Sequence, residues 1–265
     1  MFLTILIVLA VVTWLGCHAF RKVALRLHFL DHPNSRSAHV EPTPIGAGIV
    51  FVTIFYFALC AAWMMQIVST DIFLAVLGGI PVAIIGVADD VRTLSWPVRA
   101  IVHTVAAAWA IYWVGFPAIS LFGMTLEPGY VGMVFGVVAL VWLLNLYNFM
   151  DGIDGIAAVE AIFVCGAAIL LAGFSGQHWS LVNLLLGTVM LGFLAINWPN
   201  AKVFMGDVGS GFIGLTLGVL ILAYHDLSVW TWIILLAYFV TDACLTIVIR
   251  LMRSEKVSEA HSQHA

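Results

Sequence analysis

Five aspartates fall in three short polar breaks of an otherwise apolar chain: Asp89 and Asp90, then Asp151 with Asp154, then Asp207. Any one of them reads as solvated charge at a membrane surface. The set does not, because 5 of the 14 acidic residues gathered at the ends of apolar runs are costly unless paired, ion-bound or functional. Carboxylates beside the amides Asn145 and Asn148 suit Mg²⁺, which prefers oxygen donors and commonly takes one or two from protein and the rest from phosphate and water. Lys202, Arg92, Arg99, Arg250 and Arg253 supply positive charge for a pyrophosphate. The chemistry these types favour is metal-assisted phosphoryl transfer. The run Gly206-Asp-Val-Gly-Ser-Gly211 would let backbone approach phosphates and open a helix with its N-terminus facing them, although the same glycines equally serve close helix packing.

Spacing adds a constraint. Asn145, Asn148, Asp151 and Asp154 step by three, so each lies about 60° round a helix from the last, and the first and fourth face opposite ways on an unbroken helix. They meet one ligand only if the helix ends, and Gly152 and Gly155 are suited to that break. Neighbouring motif classes do not fit. No Gly-Lys-Ser/Thr follows the glycine run, as a P-loop requires. Asp89-Asp90-Val-Arg-Thr93 lacks the third acid of a prenyl-synthase motif, and Asp151-Gly-Ile-Asp-Gly-Ile156 lacks the further acids of CDP-alcohol phosphotransferases.

The elements that position these residues follow from composition. The chain has 265 residues, 63% hydrophobic and 9% charged, with a mean hydropathy of +1.10. A soluble domain is nearer half apolar and a quarter charged, so a water-soluble globule and a disordered chain are excluded. The predicted class is an all-α polytopic membrane protein. Cutting at polar breaks gives nine spans, near residues 2–20, 46–66, 71–88, 100–116, 131–149, 156–174, 181–196, 210–224 and 228–249. All ten basic residues then fall on one side, which the positive-inside rule makes cytoplasmic, with the N-terminus outside and the C-terminus inside. Arg21 and Lys22 follow the first apolar run instead of preceding it, so that run is not read as a cleavable signal. The outer loops are short and plain, and the inner ones hold the polar chemistry.

Other features are quieter. Cys17, Cys60, Cys165 and Cys244 lie in apolar runs without C-x-x-C spacing and read as small buried hydrophobes. The scattered basic residues form no patch for nucleic acid. His28 and His32 suit surface or turn roles, His103 suits packing inside a span, and Trp96, Trp179, Tyr224 and Trp230 suit interface anchoring.

Five motifs together resemble the polyprenyl-phosphate N-acetylhexosamine-1-phosphate transferases, glycosyltransferase family 4. They are Asp31-His-Pro-Asn-Ser-Arg-Ser-Ala-His39 with Pro42-Thr-Pro44; Asp89-Asp90-Val-Arg-Thr-Leu-Ser95; Asn145-Leu-Tyr-Asn-Phe-Met-Asp-Gly-Ile-Asp-Gly155; Pro199-Asn-Ala-Lys-Val-Phe-Met-Gly-Asp-Val-Gly-Ser-Gly211; and Ala260-His-Ser-Gln-His264. The asparagine-rich third motif is most similar to the bacterial branch that initiates O-antigen and other surface polysaccharides.

The resemblance implies a single integral-membrane transferase domain over residues 1–265, in the bacterial inner membrane with its active site on the cytoplasmic face. A UDP-N-acetyl sugar and undecaprenyl phosphate would give undecaprenyl-diphosphate sugar and UMP, with Mg²⁺ as cofactor and Mn²⁺ an acceptable substitute. Asn148 and Asp207 match the family's metal ligands. Asp154 and Phe204 match groups that hold uridine, and Arg99 matches a phosphate contact. Asp89, Asp90 and Asp151 belong to the catalytic set, while Asn145, Lys202, His261 and His264 belong to substrate binding. Asp89 is expected to position the lipid phosphate without removing a proton, since a phosphate monoester with second pKa near 6 is already ionised at pH 7. Ser262 and Gln263 stand where the family commonly has arginine, and the family's final span or spans would follow His264, so the resemblance implies a C-terminally truncated member. The partners implied are the two substrates and the lipid bilayer, with a homodimer left open and nucleic acid excluded. Two rival readings are a transporter using inner-face acids and an inactive truncated relative.

Overall fold

The computed structural model describes residues 2–33, 41–121, 124–127, 129–172, 178–223 and 227–252. Helix α1 (Phe2–Leu27) leads into a short hairpin of β1 (Leu30–Asp31) and β2 (Thr43–Pro44), in which Leu30 pairs with Pro44 and Asp31 with Thr43. Then come α2 (Gly48–Met64), α3 (Thr70–Leu77), α4 (Gly79–Val91) and α5 (Trp96–Val114). A second antiparallel pair, β3 (Ile119–Leu121) and β4 (Met124–Leu126), precedes α6 (Gly129–Met150), α7 (Ile156–Ala172), α8 (His178–Asn197), α9 (Asp207–Ala223), α10 (Val229–Leu235) and α11 (Ala237–Met252).

Helices dominate because lipid offers no partners to backbone amides, so each apolar segment must satisfy its own. The chain is an all-α membrane protein. Among the described residues, Phe2–Leu27, Thr70–Val91, Trp96–Val114, Gly129–Met150 and Ser180–Asn197 are each long and apolar enough to cross a bilayer. Val229–Leu235 with Ala237–Thr246 adds a sixth if that pair, bent by 73°, counts as one span. Gly48–Met64, Ile156–Leu171 and Asp207–Ala223 are apolar but shorter, and 17 residues of helix reach only about 25 Å against a hydrocarbon core of about 30 Å. The apolar run at 71–88 is interrupted at Gly78, where α3 gives way to α4, and α1 continues as helix beyond Arg21 and Lys22.

Helix α9 forms the centre. All its residues except Asp207 and Ile221 are buried, as expected of a helix apolar on every side. It packs between α2, α4 and α6. The Phe212 ring sits edge-on to Phe55 of α2, with centroids 5.2 Å apart, and Phe51 meets Phe193 of α8 at 5.1 Å. Aromatic pairs of this kind contribute about 1 kcal/mol each beyond simple burial. Side chains such as Phe57, Tyr112, Leu170 and Ile234 are exposed on the outside, where lipid is their natural solvent.

Candidate active site

The site begins with a close approach of two helices. A Cβ on Gly86 would lie 2.5 Å from the backbone N and Cα of Val208, so only glycine lets α4 meet the start of α9 there. Asp90 is four residues on, on the same face of α4. Its Oδ1 accepts a hydrogen bond from the Asp207 amide at 2.9 Å, and its carboxylate also accepts from the Val208 amide. Asp90 therefore caps α9 from another helix, satisfying N–H groups that have no partner within α9. Gly206, at φ +73°, turns the chain into α9 directly against this carboxylate, where any side chain would collide with Asp90.

This capping overturns one sequence expectation. The amides of Gly209 and Ser210 both donate to the Gly206 carbonyl, at 2.9 and 3.2 Å. With Asp207 and Val208 committed to Asp90, the first turn of α9 is already satisfied by protein and does not present free amides to a phosphate. The glycines of this run serve packing and the turn.

Asp89 points elsewhere because it is one residue, about 100°, further back round α4. Its Oδ2 accepts from the Arg99 guanidinium at 2.6 Å and its Oδ1 from the Leu94 amide at 2.5 Å, closing the turn between α4 and α5. The same guanidinium nitrogen lies 3.6 Å from Oδ2 of Asp207. The carboxyls of Asp89 and Asp207 are themselves in hydrogen-bond contact, and the Asn148 amide donates to Asp207. Two carboxyls meet in this way only by sharing a proton or flanking a cation.

The third segment is fixed by a side chain that the motif reading passed over. Asn197, buried at the end of α8, accepts from the Gly155 amide through Oδ1 at 3.0 Å and donates through Nδ2 to the Val203 carbonyl at 3.0 Å. It joins the turn at 151–155 to the loop at 198–206. Asp154 makes the same connection, its Oδ2 accepting from the Ala201 amide at 2.8 Å. That loop is also stitched to the N-terminal hairpin, since the Phe204 amide donates to the Pro44 carbonyl and the Ala47 amide to the Phe204 carbonyl. A buried amide at the end of an apolar helix was the available signal for Asn197.

Helix α6 does end at Met150, and of the two glycines in the turn it is Gly155 that takes the left-handed conformation, at φ +77°. Asp151, just past that end, is held well above the usual carboxylate range, first by burial and then by the charges of Asp207, Asp90 and Asp154. Oδ2 of Asp90 is buried without a hydrogen-bond partner among the described residues. The donor set thus fits a hard divalent cation: carboxylate and amide oxygens, negative charge beyond what Arg99 offsets, and an orphaned buried oxygen. Among the described residues no three acidic, histidine or cysteine side chains are grouped to hold an ion unaided.

Asn145 is exposed and its amide donates to the Val141 carbonyl of its own helix at 2.7 Å. Lys202 is exposed and Phe204 half-buried on the loop beside Asp207. His261 and His264 lie outside the described residues.

Residues 72–225, more than half of the chain, match the model of glycosyl transferase family 4. The chain belongs to glycosyltransferase family 4. The matched segment runs from α3 to α9 and contains Asp89, Asp90, Arg99, Asn148, Asp151, Asp154 and Asp207. No curated protein matches the chain. Membership makes this a membrane-embedded transferase and supports sugar-phosphate transfer to a polyprenyl phosphate in general.

Proposed function

We propose that the protein transfers an N-acetylhexosamine 1-phosphate from a UDP-sugar to undecaprenyl phosphate, releasing UMP and initiating O-antigen or another cell-envelope polysaccharide. The observation that carries this reading is the meeting of Asp89, Arg99, Asn148 and Asp207 at one end of the helix bundle, inside the segment that defines the family. In the reaction an oxygen of the lipid phosphate attacks the phosphorus that bears the sugar. A new P–O bond forms as the bond to UMP breaks, and the electron pair leaves with the UMP phosphate.

Mg²⁺ would be held by Asp207 and Asn148 and would neutralise charge on the pyrophosphate. The chain's own residues account for the rest. Arg99 attracts the phosphate oxygens and is aimed by Asp89, while Asp90 holds the start of α9 so that Asp207 stays fixed. Asp151 adds a further oxygen donor beside them. Asp154 anchors the loop that carries Phe204 and Lys202, which suits that loop to receive the nucleotide.

The nine-span topology, with the N-terminus outside and this end of the bundle at the cytoplasmic face of a bacterial inner membrane, is part of the proposal. It is supported by the fall of all ten basic residues on one side of that topology, with Arg92, Arg99 and Lys202 in the same breaks as Asp89, Asp90 and Asp207. An ion-coupled transporter would place its acids near the bilayer midplane, whereas Asp89 and Asp90 finish α4 and Asp207 begins α9.

Exchange of radiolabelled UMP into a UDP-sugar, with undecaprenyl phosphate and Mg²⁺ present, tests the reading. Label should enter the UDP-sugar only when the lipid phosphate is supplied. Absence of exchange across a panel of UDP-N-acetyl sugars would contradict it.

A further inference from the structure

The span Thr70–Val91 is interrupted at Gly78, and side chains of two other helices take up carbonyls beside the interruption. Pro81 has no amide to offer the Leu77 carbonyl, so the helix cannot run on undisturbed through this turn. The Gly78 amide donates three residues back, to the Ala75 carbonyl at 3.1 Å. The Leu74 carbonyl, which an unbroken helix would pair with Gly78, accepts from the Trp109 indole of α5 at 2.7 Å. The Val76 carbonyl accepts from the Tyr56 hydroxyl of α2, also at 2.7 Å. Both bonds matter because lipid offers a released carbonyl no partner. Gly79 makes room for the second, since a Cβ there would lie 2.5 Å from the Tyr56 hydroxyl oxygen.

Everything the site takes from α4 lies beyond this break. Gly86 packs on Val208, Asp89 pairs with Arg99, and Asp90 caps α9. Helix α5 therefore holds this span twice, through Trp109 just before the break and through Arg99 at the far end of α4. Asp89 is 11 residues past Gly78. That is about 16 Å of helix, so a tilt of about 4° at the break would move its carboxylate by about 1 Å. A misplacement of that size, made far from the chemistry, can cost about a hundredfold in rate.

We infer that Tyr56 and Trp109 are positioning residues for the transfer reaction. By holding the Val76 and Leu74 carbonyls they set the direction of α4, and with it the places of Asp89 and Asp90 against Arg99 and Asp207. The inference rests on the proposed transfer reading, and both residues act through α4 and not on a reacting atom.

Two measurements on the full chain in bilayer nanodiscs test it. Tyr56→Phe and Trp109→Phe each remove the donor and keep an aromatic ring in place. Trp63→Phe is the control, since that indole donates to the Thr70 side chain at 3.2 Å, at the end of α3 away from the break. Hydrogen exchange is read at the Asp207 and Val208 amides, both of which donate to Asp90. It should quicken about tenfold or more in the first two variants and stay unchanged in the control, as expected if the cap on α9 depends on the direction of α4. Unchanged exchange in the first two, or equal quickening in the control, overturns the inference.

The second measurement is turnover. In Tyr56→Phe, kcat per folded molecule should fall about tenfold or more while KM for the UDP-sugar stays unchanged, the signature of lost alignment. In an Arg99→Lys background the same substitution should cost less than about threefold, because both changes disturb one alignment. Losses that simply multiply, or a loss that disappears once rates are divided by the folded fraction, would make Tyr56 structural only and overturn its assignment. If the unsubstituted protein turns over no substrate, the transfer reading fails, and hydrogen exchange still decides whether Tyr56 and Trp109 place Asp90 on α9.

Discussion

Asp90 and Asp207 stand 117 positions apart in the chain, and the carboxylate of the first accepts the backbone amide of the second at 2.9 Å. The contact makes the end of α4 part of the start of α9. An acid that the motif places among reacting groups is thereby also the cap of the central helix.

Replacing Asp90 should therefore separate two roles. Asp90→Ala leaves the first amides of α9 unsatisfied and should cost about 1 kcal/mol of stability, in line with other lost helix caps. Asp90→Asn can still accept from the Asp207 amide and should melt close to the unsubstituted protein. Transfer should fall less in Asn than in Ala. Equal transfer losses with unchanged melting in both would place Asp90 in the chemistry and remove its capping role.

Arg99 bridges Asp89 and Asp207 but is about a third exposed, so solvent screens its charge. Arg99→Lys should change stability by less than about 1 kcal/mol. It should nonetheless lower turnover by at least about tenfold, because a single ammonium cannot reproduce the planar contact with two oxyanion groups. Thermal unfolding and initial rates on the same preparation check both. A large melting shift with proportionate activity loss would make the bridge structural only.

Asp151 gives a pH-dependent expectation. Burial and neighbouring carboxylates hold its folded-state pKa above the ordinary value near 3.9. The folded protein thus binds this proton more tightly than the unfolded chain does. Its contribution to stability is fully present below the ordinary pKa and is lost as pH rises through the raised one. In metal-free buffer Asp151→Asn should therefore melt higher than the unsubstituted protein near neutral pH, with the gap closing as pH falls towards 4. Saturating Mg²⁺ should shrink the gap, since a nearby cation favours the ionised acid. A gap that stays constant with pH would contradict this electrostatic account.

The membrane class was legible in composition, because 63% apolar residues leave no soluble alternative, and every apolar run predicted as a span contains helix. The break after Met150 was legible from the three-residue spacing of polar residues, which an unbroken helix cannot direct at one ligand. What the sequence hid is long-range. Nothing in Gly86 tells a reader that Val208 lies against it, and so Asp90 as a cap, the satisfied first turn of α9 and the joining role of Asn197 all emerged only in three dimensions. Asn145, which its place in a motif assigns to substrate binding, is exposed and donates to the Val141 carbonyl of its own helix.

Asp154 is similarly double. Its carboxylate holds the Ala201 amide, so Asp154→Ala should loosen the loop that carries Lys202 and Phe204. We expect a raised KM for the UDP-sugar with a smaller change in kcat, as for a lost binding interaction. Asp154→Asn keeps an acceptor and should recover much of the affinity. A pure kcat loss in both variants would assign Asp154 to the reacting phosphates.

The most direct measurement is UMP release by the purified full chain in nanodiscs containing undecaprenyl phosphate, with a panel of UDP-N-acetyl sugars and Mg²⁺, comparing the unsubstituted protein with Asp207→Ala. At least one sugar should yield UMP and a lipid-linked product in equal amounts. The product should disappear on chelation of the metal, and Asp207→Ala should abolish it while still inserting into membranes. Near-normal turnover by Asp207→Ala, or no product from any sugar by the unsubstituted chain, would contradict the account.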